Sequence, residues 1–200
     1  MNLPGAGLLP RHAERRTIRL HTELRTRTRA WHQQVERSFD AFDPRAAEGL
    51  RAMTHAHCMV IDRVLPDLVG YPVYRNELVR LRSLSGTSNT SALVLYSLDR
   101  PDVRPAIHPL AIAYVVLGSR LGARMIAKAI PPECINDSPE AVRFMTDEGS
   151  AAAWRRLRQD LADVASPEEA EQIGIDAEAV FRLYDDAAAA VKTIRLRGAA

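Results

Sequence analysis

Residues 20–39 read LHTELRTRTRAWHQQVERSF, and the periodicity of this stretch decides the fold. Its large apolar residues recur at spacings of four and seven, which places them along one side of an α-helix. They are Leu20, Leu24, Trp31, Val35 and Phe39. We therefore predict a helix over residues 17–39. Alternating apolar and polar residues, the pattern of a half-buried strand, do not continue anywhere in the chain for more than a few positions. The sequence predicts an all-α fold of seven or eight helices.

Capping and proline signals set the expected boundaries of the other helices. Asp43 before Pro44 predicts the second helix start, and Ser166 with Glu169 fits a capping box. The remaining expectations are a helix over 75–84, a short helix over 92–98, a long helix from Pro109 after His108 to Ile130, starts at Ser138 and Ser150, and a last helix from Asp176 to Arg197.

Length and composition indicate one globular domain. The chain has 200 residues, 46% hydrophobic and 26% charged, and we expect a domain over 17–197 after an N-terminal tail over 1–16. No uninterrupted apolar run approaches the roughly 18 residues of a membrane span, and no secretory signal pattern is visible. Cys58 and Cys134 are expected to be reduced thiols. These features predict a cytoplasmic protein, and the net charge of +2 predicts no nucleic-acid or membrane partner.

The first candidate site lies within residues 25–36. Residues three, four and seven apart share a helix face, so Arg25, Thr28, Arg29, His32 and Glu36 line up beside the apolar stripe. Glu36 can accept a proton from one imidazole nitrogen of the histidine, which leaves the other nitrogen free to bind a metal. The two arginines suit a dianionic ligand. A satisfied structural histidine on a solvated helix face is the alternative interpretation.

The second candidate site is Ala113–Arg124, which reads AYVVLGSRLGAR. Each glycine inside a helix costs roughly 1 kcal/mol relative to alanine, so Gly118 and Gly122 call for a physical reason. Either the backbone packs closely on another helix, or it lies close to a flat ligand. Tyr114 shares the glycine face, and Arg120 points to the other side.

These two segments together resemble haem oxygenases, especially the bacterial branch associated with bilins and phytochromes. TRAWHQQVE (28–36) is similar to the family's proximal helix, and AYVVLGSRLGAR (113–124) to its distal helix. The resemblance covers residues 17–197 and implies haem b sandwiched between the two helices. It assigns His32 as the iron ligand, with Glu36 as its hydrogen-bond partner, and it places Gly118, Ser119 and Gly122 on the catalytic face. The residues that it assigns to the propionates are Arg25, Thr28, Arg29, Tyr114, Arg155 and Arg158.

The resemblance implies a haem-degrading monooxygenase that makes biliverdin, carbon monoxide and ferrous iron. Its partners would be molecular oxygen, a separate ferredoxin or flavin reductase, and a phytochrome that accepts the bilin. Two positions depart from the family pattern: Ser119 follows the first glycine where mammalian members have aspartate, and Ala123 replaces a second adjacent glycine. A non-catalytic haem carrier or sensor is the first alternative. The second is a helical interaction module whose Arg-rich first helix binds an acidic partner or nucleic acid.

Overall fold

The computed structural model describes residues 20–86 and 105–198, and regular structure within these ranges is entirely helical. This confirms the all-α prediction. The predicted tail over 1–16 and the predicted helix over 92–98 lie outside the described residues. A helical segment, α1, covers residues 20–27; it is followed by α2 (Arg29–Phe39), α3 (Ala47–Val64), a 3-10 helix (Leu65–Leu68), α4 (Pro72–Leu84), α5 (Pro109–Ala127), α6 (Glu133–Asp137), α7 (Pro139–Thr146), α8 (Ala151–Asp163) and α9 (Pro167–Gly198).

Several predicted helix starts are confirmed by their capping hydrogen bonds. The imidazole Nδ1 of His108 accepts a hydrogen bond from the backbone N–H of Leu110 at 3.2 Å, and α5 begins at Pro109. The hydroxyl of Ser166 accepts one from the backbone N–H of Glu169 at 3.2 Å, and α9 begins at Pro167. Both caps satisfy N–H groups that have no partner inside the helix.

The predicted helix start at Asp43–Pro44 is wrong by one turn. The carboxylate of Asp43 accepts a hydrogen bond from the backbone N–H of Arg45 at 2.9 Å, which closes a turn before α3 begins at Ala47. That turn folds back over Gly49, where a Cβ atom would lie 1.9 Å from the carbonyl oxygen of Asp43. The side chain of Asp43 therefore stabilises the turn and not the helix.

The predicted helix start at Asp176 is also wrong, because α9 runs without a break through this residue for 32 residues in all. Its carboxylate accepts a hydrogen bond from the backbone N–H of His108 at 2.7 Å, so it supports the start of α5. Nearby Gly174 is explained by close packing. A Cβ atom there would lie 2.8 Å from the guanidinium of Arg27, which crosses α9 at this point to bind Glu171 and Glu178.

α9 packs against α2, α3 and α5, and the core lies between these helices. Large buried side chains come from α3, α4, α5, α7, α8 and α9, and partly buried Trp31, Val35 and Phe39 of α2 pack against them, so the described ranges share one contiguous core. Both cysteines are buried, and neither is part of a disulfide. α5 is the one helix of the described ranges that is long and apolar enough to cross a membrane, but half of its most apolar window is buried inside the protein, as in a core helix.

Replacement of Asp176 by alanine is expected to lower the free energy of unfolding by about 0.5–2 kcal/mol, as loss of a helix cap does. The backbone N–H of His108 loses its acceptor, while α9 gains a residue of higher helix propensity. Urea unfolding followed by circular dichroism measures the change. Asp186→Ala, on an exposed position of the same helix, is the control, and an equal effect of both substitutions would contradict the capping role.

Candidate functional site

α2 and α5, which carry the two predicted motifs, both run parallel to α9. Just before α2, Arg27 forms an ion pair with Glu178 of α9. Further along, the ring of His32 lies 5.9 Å from that of Phe181, and the hydroxyl of Ser38 donates a hydrogen bond to Asp185. The contacts of α5 follow the same order along α9. His108 bonds to Asp176, and Ser119 shares a hydrogen bond with Tyr184. His32 and Ser119 thus meet α9 at positions one helical turn apart.

His32 is well exposed, and a carboxylate orients its ring. Its Nδ1 lies 3.3 Å from Oε1 of Glu36, one turn further along α2, and the side chain is 60% exposed. The ring meets Phe181 edge-on. A histidine held through Nδ1 presents Nε2 as its other nitrogen, which is the arrangement typical of metal-ligating imidazoles.

Four of the six predicted propionate-binding residues come together around Tyr114. The hydroxyl of Tyr114 shares a hydrogen bond with Thr28. Burial raises the pKa of this hydroxyl, and the positive charge of nearby Arg25 opposes the shift. We name the Tyr114 cluster after this residue. His21 and Trp154 complete the cluster, with ring centroids 6.0 and 6.4 Å from that of Tyr114. Its members are His21, Arg25, Thr28, Tyr114, Trp154 and Arg158.

The cluster is electropositive where it meets solvent. Partial burial lowers the pKa of His21, and the positive charges of Arg158 and Arg25 lower it further. The histidine is therefore a neutral donor or acceptor between two cations at neutral pH. Thr28 contributes less than predicted, because it is buried and its hydroxyl donates to the carbonyl of Leu24 at 2.7 Å.

The two remaining predicted arginines lie apart from this cluster. Arg155 lines a cavity beside Trp154, and Arg29 is exposed at the first residue of α2. No contact within the described ranges joins Arg29 to the other predicted residues.

The two glycines of α5 have different surroundings. A Cβ atom at Gly118 would make ordinary van der Waals contact, at 3.7 Å, with the indole of Trp154. A Cβ atom at Gly122 would have nothing within 4 Å. Packing between the described helices therefore does not require glycine at either position. Leu121 and Met125 beside Gly122 are also exposed, the latter by 67%, so this part of α5 presents an open apolar surface.

Ser119 points away from that surface into a buried polar network, the Tyr184 network, formed by His57, Ser119, Arg120 and Tyr184. Its hydroxyl donates to the carbonyl of Val116 at 2.8 Å. Burial raises the pKa of Tyr184 to about 12, although the hydrogen bond with Ser119 opposes the shift. The hydroxyl of Tyr184 lies 3.3 Å from Nδ1 of His57. Ser119 thus belongs to the core side of α5, as does buried Arg120.

The chain matches no family model, no curated protein and no solved structure. Within the described ranges no group of three or more His, Cys, Asp and Glu side chains is placed to hold a metal ion. A haem iron that takes one histidine ligand from the protein needs no such group.

Sequence reasoning did not place His21, His57, Trp154 or Tyr184 in the site, and it did not predict the burial of Arg120. His21 has a weak signal, since it precedes Arg25 by one helical turn on the predicted face. Trp154 and Tyr184 have none, because their positions depend on how α8 and α9 pack against α5. For Arg120 the signal is a charged residue within the apolar sequence of α5.

The buried imidazole of His57 predicts a pH dependence of stability. Burial lowers its pKa from 6.5 to about 3, and nearby Arg120 acts in the same direction. Between pH 3 and pH 6.5 the unfolded chain binds a proton at this residue and the folded chain does not, so stability falls as the pH is lowered through this window. His57→Phe, which keeps a ring among Phe39, Phe144 and Tyr184, is expected to remove this contribution.

Urea unfolding of both proteins at pH 7 and pH 5 measures the effect. The wild type is expected to lose about 2 kcal/mol more than His57→Phe between these values. His21 and His55, whose pKa values are also lowered, are present in both proteins and cancel in the difference. Equal losses would show that His57 is protonated in the folded protein.

Proposed function

We propose that this protein is a haem-degrading monooxygenase of the haem oxygenase type. The observation that carries the proposal is His32, which is exposed and held through Nδ1 by Glu36 on a helix parallel to α5, together with the open surface of α5 at Gly122. The two motifs meet at Tyr114 of α5, whose hydroxyl shares a hydrogen bond with Thr28 directly before α2, although 86 residues separate His32 from Gly118. This supports a ligand site shared by both helices.

The residues present fit a haem. Nε2 of His32 would bind the iron, and Glu36 would fix the orientation of the imidazole ring. The open apolar surface at Leu121, Gly122 and Met125 suits a flat macrocycle, because no side chain stands within 4 Å of a Cβ atom at Gly122, whereas Gly118 faces the indole of Trp154. Arg25 and Arg158 in the Tyr114 cluster would bind the two propionate carboxylates, since guanidinium groups match carboxylates in charge and shape.

Bound haem supplies iron and the porphyrin ring, whose opening by dioxygen yields biliverdin, carbon monoxide and ferrous iron. The protein's own residues bind and orient this substrate. The Tyr114 cluster would bind the propionates and so hold the substrate in one orientation in the site. Electrons would come from a separate ferredoxin or flavin reductase, and a phytochrome is the partner expected to accept the bilin.

A haem carrier or sensor without turnover is the second candidate, and the position of Ser119 favours it. The hydroxyl of Ser119 is engaged by Val116 and Tyr184 on the core side of α5. It is therefore not available to organise water above a haem, as the aspartate of mammalian relatives would be. Turnover with a competent reductant separates the enzyme from the carrier.

His32→Ala is expected to weaken haem binding by more than the roughly 10–100-fold that loss of an outer-shell partner costs. The reason is the loss of the only proposed axial ligand. Titration with haemin, followed by the Soret band, measures the affinity, and added imidazole should restore the ligated spectrum. Addition of ascorbate or a ferredoxin system to the wild type should then convert the Soret band into a bilin absorption.

Gln33→Ala is the matched control, since Gln33 is exposed beside His32 on α2. His21→Ala tests the nearest alternative ligand. If His21→Ala loses the spectrum and His32→Ala keeps it, iron binds within the Tyr114 cluster and the assignment of His32 is wrong. A wild type that binds haemin but makes no bilin is a carrier.

Gly122→Leu tests whether the surface of α5 at this residue binds haem or serves only the fold. In the free protein the leucine has open space and a higher helix propensity, so the free energy of unfolding is expected to rise by about 0.8–1 kcal/mol. Bilin formation from haem is expected to fall by at least about tenfold, because the side chain occupies the surface where the macrocycle lies.

Thermal or urea unfolding without haem, together with the rate of bilin formation, gives both quantities. Lys128→Leu, just beyond the end of α5, is the control for a leucine added to this helix end. A wild-type rate of bilin formation in Gly122→Leu would exclude this surface as the haem site.

A further inference from the structure

A cavity of about 190 Å³ lies between α5 and the N-terminal part of α8. Its apolar wall is formed by Leu117, Leu121, Ala151 and Trp154. The volume lies below the roughly 300–1,000 Å³ of pockets that enclose drug-sized ligands, so the cavity does not accommodate a haem. It is larger than the engineered apolar cavity of about 150 Å³ that takes up benzene. It therefore has room for one ring with a small substituent.

Arg120 lines this cavity and is only 4% exposed. Its Nη2 donates to the backbone carbonyl of Phe144, and its guanidinium lies 4.6 Å from the centre of the Phe144 ring. Its Nε and Nη1 are buried and have no hydrogen-bond partner within the described ranges. Buried donors without an acceptor are costly, and burial accordingly lowers the pKa of this guanidinium.

The charges around the cavity leave a positive excess for a ligand. Arg124 and Arg155 are exposed at its rim. Of the two carboxylates beside it, Asp147 is bound by both terminal nitrogens of Arg80 at 2.8 Å. Arg80 also pairs with Glu77 at 2.7 Å, and Glu148 at the rim is exposed. Counted together, four guanidinium groups lie in or beside the cavity against three carboxylates, which leaves an excess of one positive charge.

We propose that this cavity is a binding site for a small aromatic carboxylate. The ring would lie against Trp154 and the two leucines, and the carboxylate would accept hydrogen bonds from Arg120, with Arg124 and Arg155 adding charge at the rim. Benzoate matches the cavity in size. The cavity shares Leu121 with the proposed haem surface and Trp154 with the Tyr114 cluster. Binding of a small carboxylate in the absence of haem does not depend on the proposed function.

Binding of benzoate to the full-length protein without haem tests the proposal. In a Trp31→Phe background the remaining tryptophan is Trp154, whose fluorescence is expected to change saturably with a dissociation constant of about 1 mM or tighter. Benzyl alcohol, the uncharged analogue, is expected to bind at least about tenfold more weakly, because it lacks the charge-assisted hydrogen bonds. Inorganic phosphate, which lacks the ring, should also bind more weakly.

Arg120→Gln is expected to abolish benzoate binding. Because this substitution in the core can also impair folding, the double substitution Arg124→Gln, Arg155→Gln at the exposed rim provides a second test and should weaken benzoate by about tenfold. Arg156→Gln is the matched control, since Arg156 is adjacent on α8 but pairs with Asp160 at 2.7 Å.

Unchanged benzoate affinity in the rim double variant, or an equal loss in Arg156→Gln, would overturn the assignment. So would equal affinity for benzoate and benzyl alcohol, or the absence of a saturable signal. A failure of haem turnover has no bearing on this result, because no measurement here contains haem.

Discussion

The packing of α9 against three other helices is the constraint on which the rest of the structure depends. This helix contributes buried side chains along most of its length and contacts α2, α3 and α5. Individual helices of 11–19 residues are marginal in water, so the burial of their apolar faces against α9 supplies most of their stability. Gly174 belongs to this packing, since it lets Arg27 lie across α9 and bind the glutamates on both sides.

The same packing explains how much of the fold could be predicted from the sequence. Amphipathic periods and caps are local signals, and they correctly gave the all-α class and the helix starts at Pro109, Pro139, Ser150 and Pro167. The errors at Asp43 and Asp176 share a physical cause. Aspartate is a typical capping residue, but neither carboxylate caps the helix that it was expected to start. Asp43 accepts its hydrogen bond from Arg45 in a turn, and Asp176 accepts one from His108 at the start of α5. The hydrogen bond of Asp176 is a tertiary contact, and local sequence holds no information about such a contact.

In the candidate site, too, the features set by local helix geometry could be predicted and those set by tertiary contacts could not. Arg25, Thr28 and His32 could be placed on one helix face because helical geometry fixes their relation, and their neighbour Tyr114 could be assigned through the family resemblance. The surroundings of the two glycines could not, since they depend on the position of Trp154 in α8. Nor could the burial of Arg120, whose environment is formed by Phe144 and Tyr184 from two other helices.

The parallel contacts of α2 and α5 with α9 have a consequence for insertions and deletions. One residue added between Phe181 and Tyr184 would rotate the rest of α9 by about 100° and shift it by about 1.5 Å. The contact of α2 at Phe181 would keep its register, while the contact of α5 at Tyr184 would lose it. The spacing of these two residues along α9 therefore fixes how far the histidine-bearing helix and the glycine-bearing helix can slide past each other. Changes in length here should be tolerated far less than substitutions on the exposed side of α9.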